Sequence, residues 1–311
     1  MLGASLQVES FSDTATSSVS STALDRATKQ CAIINSARDC DPKSGRTSFA
    51  SANLLIKRVC ELRATVQWIL ETDVHADHLL DAQYLKQILS GRLGIGQHPT
   101  TVQTVFGTLF NLESDFARDG RHFDHLFTDG ESIAIGDIKV RAIHTLGHNP
   151  GLYDVRHGGT IAYTAFVGDT LFMPDYGTAR CDFPGGDAHA LYRSDHQVLS
   201  LPLETQLFMC HDYQPSGREI KLISTVAKQR ETNVDVQKDG LIWYARGRIE
   251  VLYRASIEER CCECYKGVKT GYDRLLPARQ ALCRGERCIR RTPLFSCPIL
   301  CKSVLLRVLL N

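Results

Sequence analysis

The run Thr72-Asp-Val-His-Ala-Asp-His78 packs four potential metal donors, Asp73, His75, Asp77 and His78, into six residues. Imidazole and carboxylate together suit zinc, iron or manganese, and no paired cysteine set accompanies them, which argues against a closed structural zinc cage. His75 and His78 are not an i, i+4 pair, so the run is not a metalloprotease helix. Further groups of the same chemistry follow at His144, His148, Asp169 and His211. The plain alternative is that Asp77 and His78 cap the next helix, where a carboxylate suits the N-terminal dipole. The carboxylate preference accounts for Asp77, one donor of the run rather than four.

Short apolar runs position these groups. Cys31-Ala-Ile-Ile34 and Val66-Gln-Trp-Ile-Leu70 read as buried strands. Leu55, Val59 and Leu62 recur at helical spacing over 52–62, and Leu80, Tyr84, Leu85, Ile88 and Leu89 mark a second helix face stopped at Gly91. Ile138, Val140 and Ala142 alternate with polar residues ahead of His144, Ile161–Val167 is a mostly apolar run ahead of Asp169, and Leu207–Cys210 precedes His211. Leu191 and Val198 fit a helix loosely. Strands alternating with helices indicate a layered α/β protein. Ligands at successive strand ends converge on one site while the strands stay buried.

In this order the motifs resemble the metallo-β-lactamase fold. Thr-Asp-Val-His-Ala-Asp-His is similar to its HxHxDH motif with Asp73 in the place of the first His, and His144-Thr-Leu-Gly-His148 is similar to HTPGH. Gly168-Asp169-Thr170 resembles the bridging aspartate, and Cys210-His211-Asp-Tyr213 the last His. The resemblance spans about residues 28 to 240 and implies an αββα sandwich, two mixed β-sheets flanked by helices, with metals at one edge. Two branches compete. Glyoxalase II-type thioesterases use two metals, here mapped to Asp77, His78 and His211 with bridging Asp169. Persulfide dioxygenases hold one Fe(II), mapped to Asp73, His148 and Asp169, and oxidise glutathione persulfide. Arg180-Cys-Asp-Phe183, Leu191-Tyr-Arg-Ser194 and His211-Asp-Tyr213 resemble the dioxygenase pattern, where glyoxalase II commonly shows His-Glu-Tyr.

The resemblance implies a mononuclear iron oxygenase, one Fe(II) per chain, with zinc (one or two ions) or manganese as the alternative. Asp73 makes that set one His and two carboxylates unless His75 restores the second imidazole, a harder donor set that favours manganese or Fe(III). A thioester hydrolase and an inactive copy of the fold are the other two readings. The resemblance also implies that Arg180 and Tyr213 bind a glutathione-derived small molecule, Arg180 through a bidentate carboxylate pair, with Asp77 and Tyr213 as the catalytic candidates. A surface Arg and a packed Tyr are the bland alternatives. Leu146 stands where the family has Pro, which removes a fixed φ and is expected to loosen the loop before His148.

Composition divides the chain. Of 311 residues with 36 basic and 35 acidic side chains, residues 241–311 hold 14 basic and 6 acidic, together with 7 of the 12 cysteines and no histidine. All 11 histidines fall between His75 and His211. The expected organisation is a weakly ordered Ser/Thr-rich segment over 1–27, the metallo-β-lactamase-like domain over 28–240, and an irregular basic, Cys-rich tail over 241–311. The tail's cysteines do not form CxxC knuckles, its arginines lack aromatic interleaving for a nucleic-acid arm, and its composition fits an out-of-frame reading. No run of about 18 apolar residues and no basic start followed by an apolar block occur, so neither a membrane span nor a secretory signal is expected, and cytoplasm is the default. No nucleic acid or membrane partner is expected; a homodimer is left open.

Overall fold

Alternating side chains on short apolar runs give the central strands of the two large sheets one face for a shared core and one for a helix. The computed structural model describes residues 6–41, 44–73, 81–97, 99–100, 103–104, 119–147, 153–154, 163–181 and 186–236. The first sheet contains β1 (Leu6–Ser12), β2 (Val19–Asp25), β3 (Gln30–Ile34), β6 (Thr65–Leu70), β7 (Arg92–Gly96) and β8 (His125–Phe127), in that spatial order. The second runs β14 (Ile223–Thr225), β13 (Gln206–Phe208), β12 (Thr164–Phe166), β11 (Tyr153–Asp154), β10 (Ile138–Ala142) and β9 (Ser132–Ile135). Both are mixed, with β3, β6, β7 and β8 parallel in the first and β12 parallel to β13 in the second. A small hairpin of β4 (Asp39–Asp41) and β5 (Arg46–Ser48) stands apart.

The sheets face each other across one core, in which Ala32, Ile34, Trp68, Leu70 and Phe127 meet Ile135, Ile138, Val140, Phe166 and Phe208. The opposite face of the first sheet packs Ile33, Val66, Ile69 and Leu93 on Leu55 and Val59 of α1 (Ala50–Glu61) and Leu85 of α2 (Ala82–Leu89). The second sheet's outer face packs Ala165, Val167, Leu207 and Met209 on Val198 and Leu199 of α3 (Ala188–Leu199) and Val226 of α4 (Val226–Thr232). The helix–sheet–sheet–helix layering is the expected αββα sandwich. None of the described helices is long and apolar enough to cross a membrane.

Two local expectations are corrected. Residues 6–25, expected as a weakly ordered start, form an antiparallel hairpin registered from Leu6↔Asp25 to Ser12↔Val19, and β2 is buried along its whole length. Its hydroxyls find partners inside: Ser10 and Ser21 Oγ atoms lie 2.8 Å apart, and Ser20 Oγ accepts from the Ala37 N–H. Ser/Thr richness therefore reads here as a satisfied strand rather than as a loop. Helix α2 ends at Ser90, which takes a left-handed φ of 67° and returns its N–H to Lys86 O. Gly91, expected as the stop, is instead a packing glycine, since a Cβ there would lie 2.7 Å from Val66 Cγ1. The tail over 241–311 lies outside the described residues.

Candidate metal centre

Parallel strands β12 and β13 deliver their C-terminal ends to the same edge, β12 into Gly168-Asp169 and β13 into Cys210-His211. Cys210 Sγ donates to Asp169 Oδ1 at 2.8 Å, and His211 Nε2 lies 3.4 Å from the same oxygen. The ligand-type atoms of Asp169, Cys210 and His211 all lie within 4.8 Å of one another. Cys210 and His211 are buried and Asp169 is nearly so, which removes most competing water.

The N-terminal hairpin clasps His211 from the other side. Ser18 and His211 form an isolated bridge, Val19 N–H donates to Cys210 O at 2.7 Å, and Asp212 N–H donates to Ser17 O at 3.1 Å. His211 Nδ1 also lies 3.3 Å from Ser17 O. A carbonyl oxygen only accepts, so Nδ1 is the donor of this bond, and the ring is thereby held with Nε2 facing Asp169. Ser17 had no place among the candidates: a main-chain acceptor in a left-handed turn (φ 59°) leaves no mark in residue type.

Asp73 is 3% exposed and follows β6 through Glu71 and Thr72, both fully enclosed. Glu71 accepts from the Ser36 hydroxyl and N–H, and Thr72 Oγ1 donates to Asn35 Oδ1 at 2.6 Å, so the strand end that leads into the motif is held by the end of β3. Asp73 is not in the close group of Asp169, Cys210 and His211. His75, Asp77, His78 and His148 lie outside the described residues.

The loop before His148 is gripped, contrary to the loosening expected from Leu146. Ser194 Oγ donates to Leu146 O at 2.7 Å, Asp187 N–H to Gly147 O at 2.9 Å, and the Thr145 and Thr170 hydroxyls lie 2.8 Å apart. Gly147 has φ 123°, and a Cβ on it would come within 2.1 Å of Leu191 N, so no larger residue fits this approach. The missing proline is thus offset by contacts from α3 and its N-cap Asp187, whose side chain accepts from His189 N–H.

Tyr213 is half-buried and stacks on His211, with ring centroids 5.3 Å apart at 13°. Phe172 meets it edge-on at 5.5 Å, and Tyr176 lies 4.6 Å away. Arg180 is exposed at the end of a segment that folds back beside Asp169, where Leu171 bridges Thr178 and Ala179 N–H donates to Thr170 O. Cys181 is buried with Phe172, Leu191 and Cys210. Two residues outside the expected set anchor this edge. Gln229, fully enclosed on α4, donates to Phe172 O at 2.8 Å, and Arg218 joins Asp175 to Asp212. Hydrogen bonding to Arg218 holds the Asp175 carboxyl below the usual range.

The donors fit a metal ion. Two ligands each about 2.1 Å from a tetrahedral ion stand roughly 3.4 Å apart, and Asp169 Oδ1 and His211 Nε2 have that separation. Nitrogen and carboxylate oxygen are donors that zinc, iron and manganese accept.

The Metallo-beta-lactamase superfamily model matches residues 44–211. The chain is 52% identical to the Probable metallo-hydrolase BURPS1710b_2304 of Burkholderia pseudomallei over 75% of this chain and 81% of that protein. It is 44% identical to Glyoxylase B2 of Dictyostelium discoideum over 69% of this chain and 73% of that one. The mitochondrial persulfide dioxygenase ETHE1 of Homo sapiens is 27% identical over 67% of each chain. The crystal structure of ETHE1 from Myxococcus xanthus shares the fold, with a TM-score of 0.60 at 20% identity over 79% of this chain and 91% of that one. Strand-end donors, a layered sandwich and a family match over more than half its length make this chain a member of the metallo-β-lactamase superfamily, whose fold is built to carry metal.

Proposed function

We propose that the chain is a persulfide dioxygenase acting on glutathione persulfide, with one iron per chain held by Asp73, His148 and Asp169. One observation carries the reading. The residues of the stretch that resembles the dioxygenase pattern are those that grip the ligand loop: Leu191 closes on Gly147, and Ser194 bonds Leu146 O, next to the N-cap bond from Asp187. The likeness to the human persulfide dioxygenase supports it.

When bound, iron supplies open coordination positions at which oxygen and a thiolate-type substrate can be brought together. The chain's own residues do the rest. Exposed Arg180 binds a glutathione carboxylate through its planar fork. The rings of Tyr213, Phe172 and Tyr176 form an apolar wall beside the donors and hold water off the substrate sulfur, while the Tyr213 phenol offers one hydrogen bond. Ser17 holds the proton on His211 Nδ1, which keeps the ring facing Asp169.

Thioester hydrolysis at a two-metal site is favoured by a different observation, the Asp169–His211 separation, since His211 and Asp169 belong to that ligand set with Asp77 and His78. The names of the Burkholderia and Dictyostelium relatives point the same way. Purified protein reconstituted with Fe(II) and given glutathione persulfide is expected to consume oxygen and release sulfite. Hydrolysis of an S-acyl glutathione with zinc, and no oxygen uptake with iron, would replace the first reading by the second.

A further inference from the structure

We propose that Cys210 is a positioning residue for the metal centre: its thiol holds the Asp169 carboxylate in the orientation that presents it to the ion. The inference rests on Asp169 being a metal ligand, under either reading above.

Cys210 is fully enclosed and lies two residues past the end of β13, directly before His211. Its carbonyl is fixed by the Val19 N–H at 2.7 Å, and its side chain is packed among Phe172, Ala179, Cys181 and Leu191. The sulfur therefore has a fixed place, and that place is 2.8 Å from Asp169 Oδ1. Asp169 itself follows Gly168, which has a positive φ of 48° and passes no side-chain packing on to its neighbour. The thiol's contact with one carboxylate oxygen restricts rotation of the Asp169 side chain about χ1 and χ2. The thiol is a donor within hydrogen-bonding reach of the very oxygen that stands 3.4 Å from His211 Nε2. Partners that orient a ligand in this way commonly set affinity by about 10- to 100-fold.

The distance favours hydrogen bonding over shared ligation of a tetrahedral ion. A thiolate at about 2.3 Å and a carboxylate oxygen at about 2.1 Å from one tetrahedral ion would stand roughly 3.6 Å apart. The observed 2.8 Å is instead a sulfur–oxygen hydrogen bond.

The test is Co(II) binding by the full chain, followed by visible absorption and by competition with a chelator. Cys210→Ala and Cys210→Val, the second keeping the volume without a donor, are each expected to weaken Co(II) binding by about 10-fold or more. Cys210→Ser keeps an O–H donor and is expected to stay within about 3-fold of the native chain, with the native ligand-field spectrum. Two results would overturn the proposal. In one, folded Ala and Val variants bind Co(II) as tightly as the native chain. In the other, the native complex shows a near-ultraviolet thiolate-to-cobalt charge-transfer band that Cys210→Ser abolishes, which makes Cys210 a ligand. A native chain that binds no Co(II) at all would overturn the metal reading of Asp169 and this inference with it, a result distinct from either of those.

Discussion

Arg218 grips the buried carboxylate of Asp212 with both Nη atoms, at 2.7 and 2.6 Å, and bonds Asp175 through Nε and Nη2. One guanidinium thereby ties the segment that carries His211 and Tyr213 to the turn that carries Tyr176. The Asp212 side chain is fully enclosed and Arg218 is 18% exposed, so the pair has little water to fall back on. Backbone N–H groups of Gln214 and Lys221 complete the carboxylate's partners. Removing the cation leaves a buried charge without its counter-ion. Arg218→Met is expected to destabilise the fold by about 3–5 kcal/mol, read by urea denaturation. Asp212→Asn in the Arg218→Met background should recover part of that loss, because the amide carries no charge to strand. Strictly additive losses in the double variant would show that the two side chains are not coupled.

Asp81 is fully enclosed at the start of α2, and burial pushes its carboxyl up to about 7 against an ordinary value of 3.8. The Arg38 guanidinium 3.6 Å away pulls it down only in part, and Asp39 pushes it up. Between about pH 4 and pH 7 the unfolded chain gives up this proton while the folded chain keeps it. Folding then binds a proton, so the contribution of this group to stability falls as pH rises through that window and levels off above it. Asp81→Asn is expected to flatten that fall and to make the protein more stable than the native chain at pH 8. Thermal unfolding from pH 4.5 to 8.5 checks it, and an equally steep fall in the variant would rule Asp81 out as the cause.

The donor-bearing strand ends were legible because an apolar run that stops at His or Asp is unusual in a core. Ala165-Phe-Val ahead of Asp169 and Leu207-Phe-Met ahead of His211 are such runs, and both proved to be strand exits at one edge. What holds those donors was not legible. Ser17 acts through its carbonyl, which every residue has. Ser194 and Asp187 act on a loop 40 to 48 residues earlier, a pairing that exists only once α3 packs on the sheet. Strand β2 was hidden for a related reason: its burial depends on hydroxyls finding partners in Ser10 and Ala37, so composition alone marked it as weakly ordered. Leu146 misled in the same direction, because a local rule about proline ignored the three contacts that pin its neighbours.

Gly147 sits one residue before His148, with its φ at 123° and Leu191 N 2.1 Å from where a Cβ would be. The atom it would strike is main chain of a helix, which cannot swing aside as a flexible side chain can. Gly147→Ala must therefore move the loop, breaking the Asp187–Gly147 and Ser194–Leu146 bonds. The expected cost is about 1–3 kcal/mol in stability, together with weaker metal binding than in the native chain. Equilibrium dialysis against Fe(II) or Zn(II) alongside thermal unfolding separates the two effects. A stable variant with native metal affinity would show that the loop does not position a ligand.

Asp73 is where the mapped ligand set departs from two imidazoles and one carboxylate. Its side chain is 3% exposed, at the end of a strand exit locked by Glu71, Thr72, Ser36 and Asn35. Those bonds hold the strand exit that leads to it, so a ligand there is placed by the fold rather than by the ion. Two carboxylates with one imidazole favour harder ions, and Fe(II) with its preference for imidazole loses one of its better donors. Asp73→His is expected to raise iron content after purification from iron-supplemented cells by several-fold and to raise sulfite release from glutathione persulfide with it. The larger ring costs some packing, about 1–3 kcal/mol for an enclosed site, so the melting temperature is measured without metal as well as with it. A variant that folds, melts as expected without metal and yet holds no more iron than the native chain would take Asp73 out of the ligand set. Iron that rises while sulfite release does not would instead keep Asp73 as a ligand and turn the reading from persulfide oxidation toward hydrolysis.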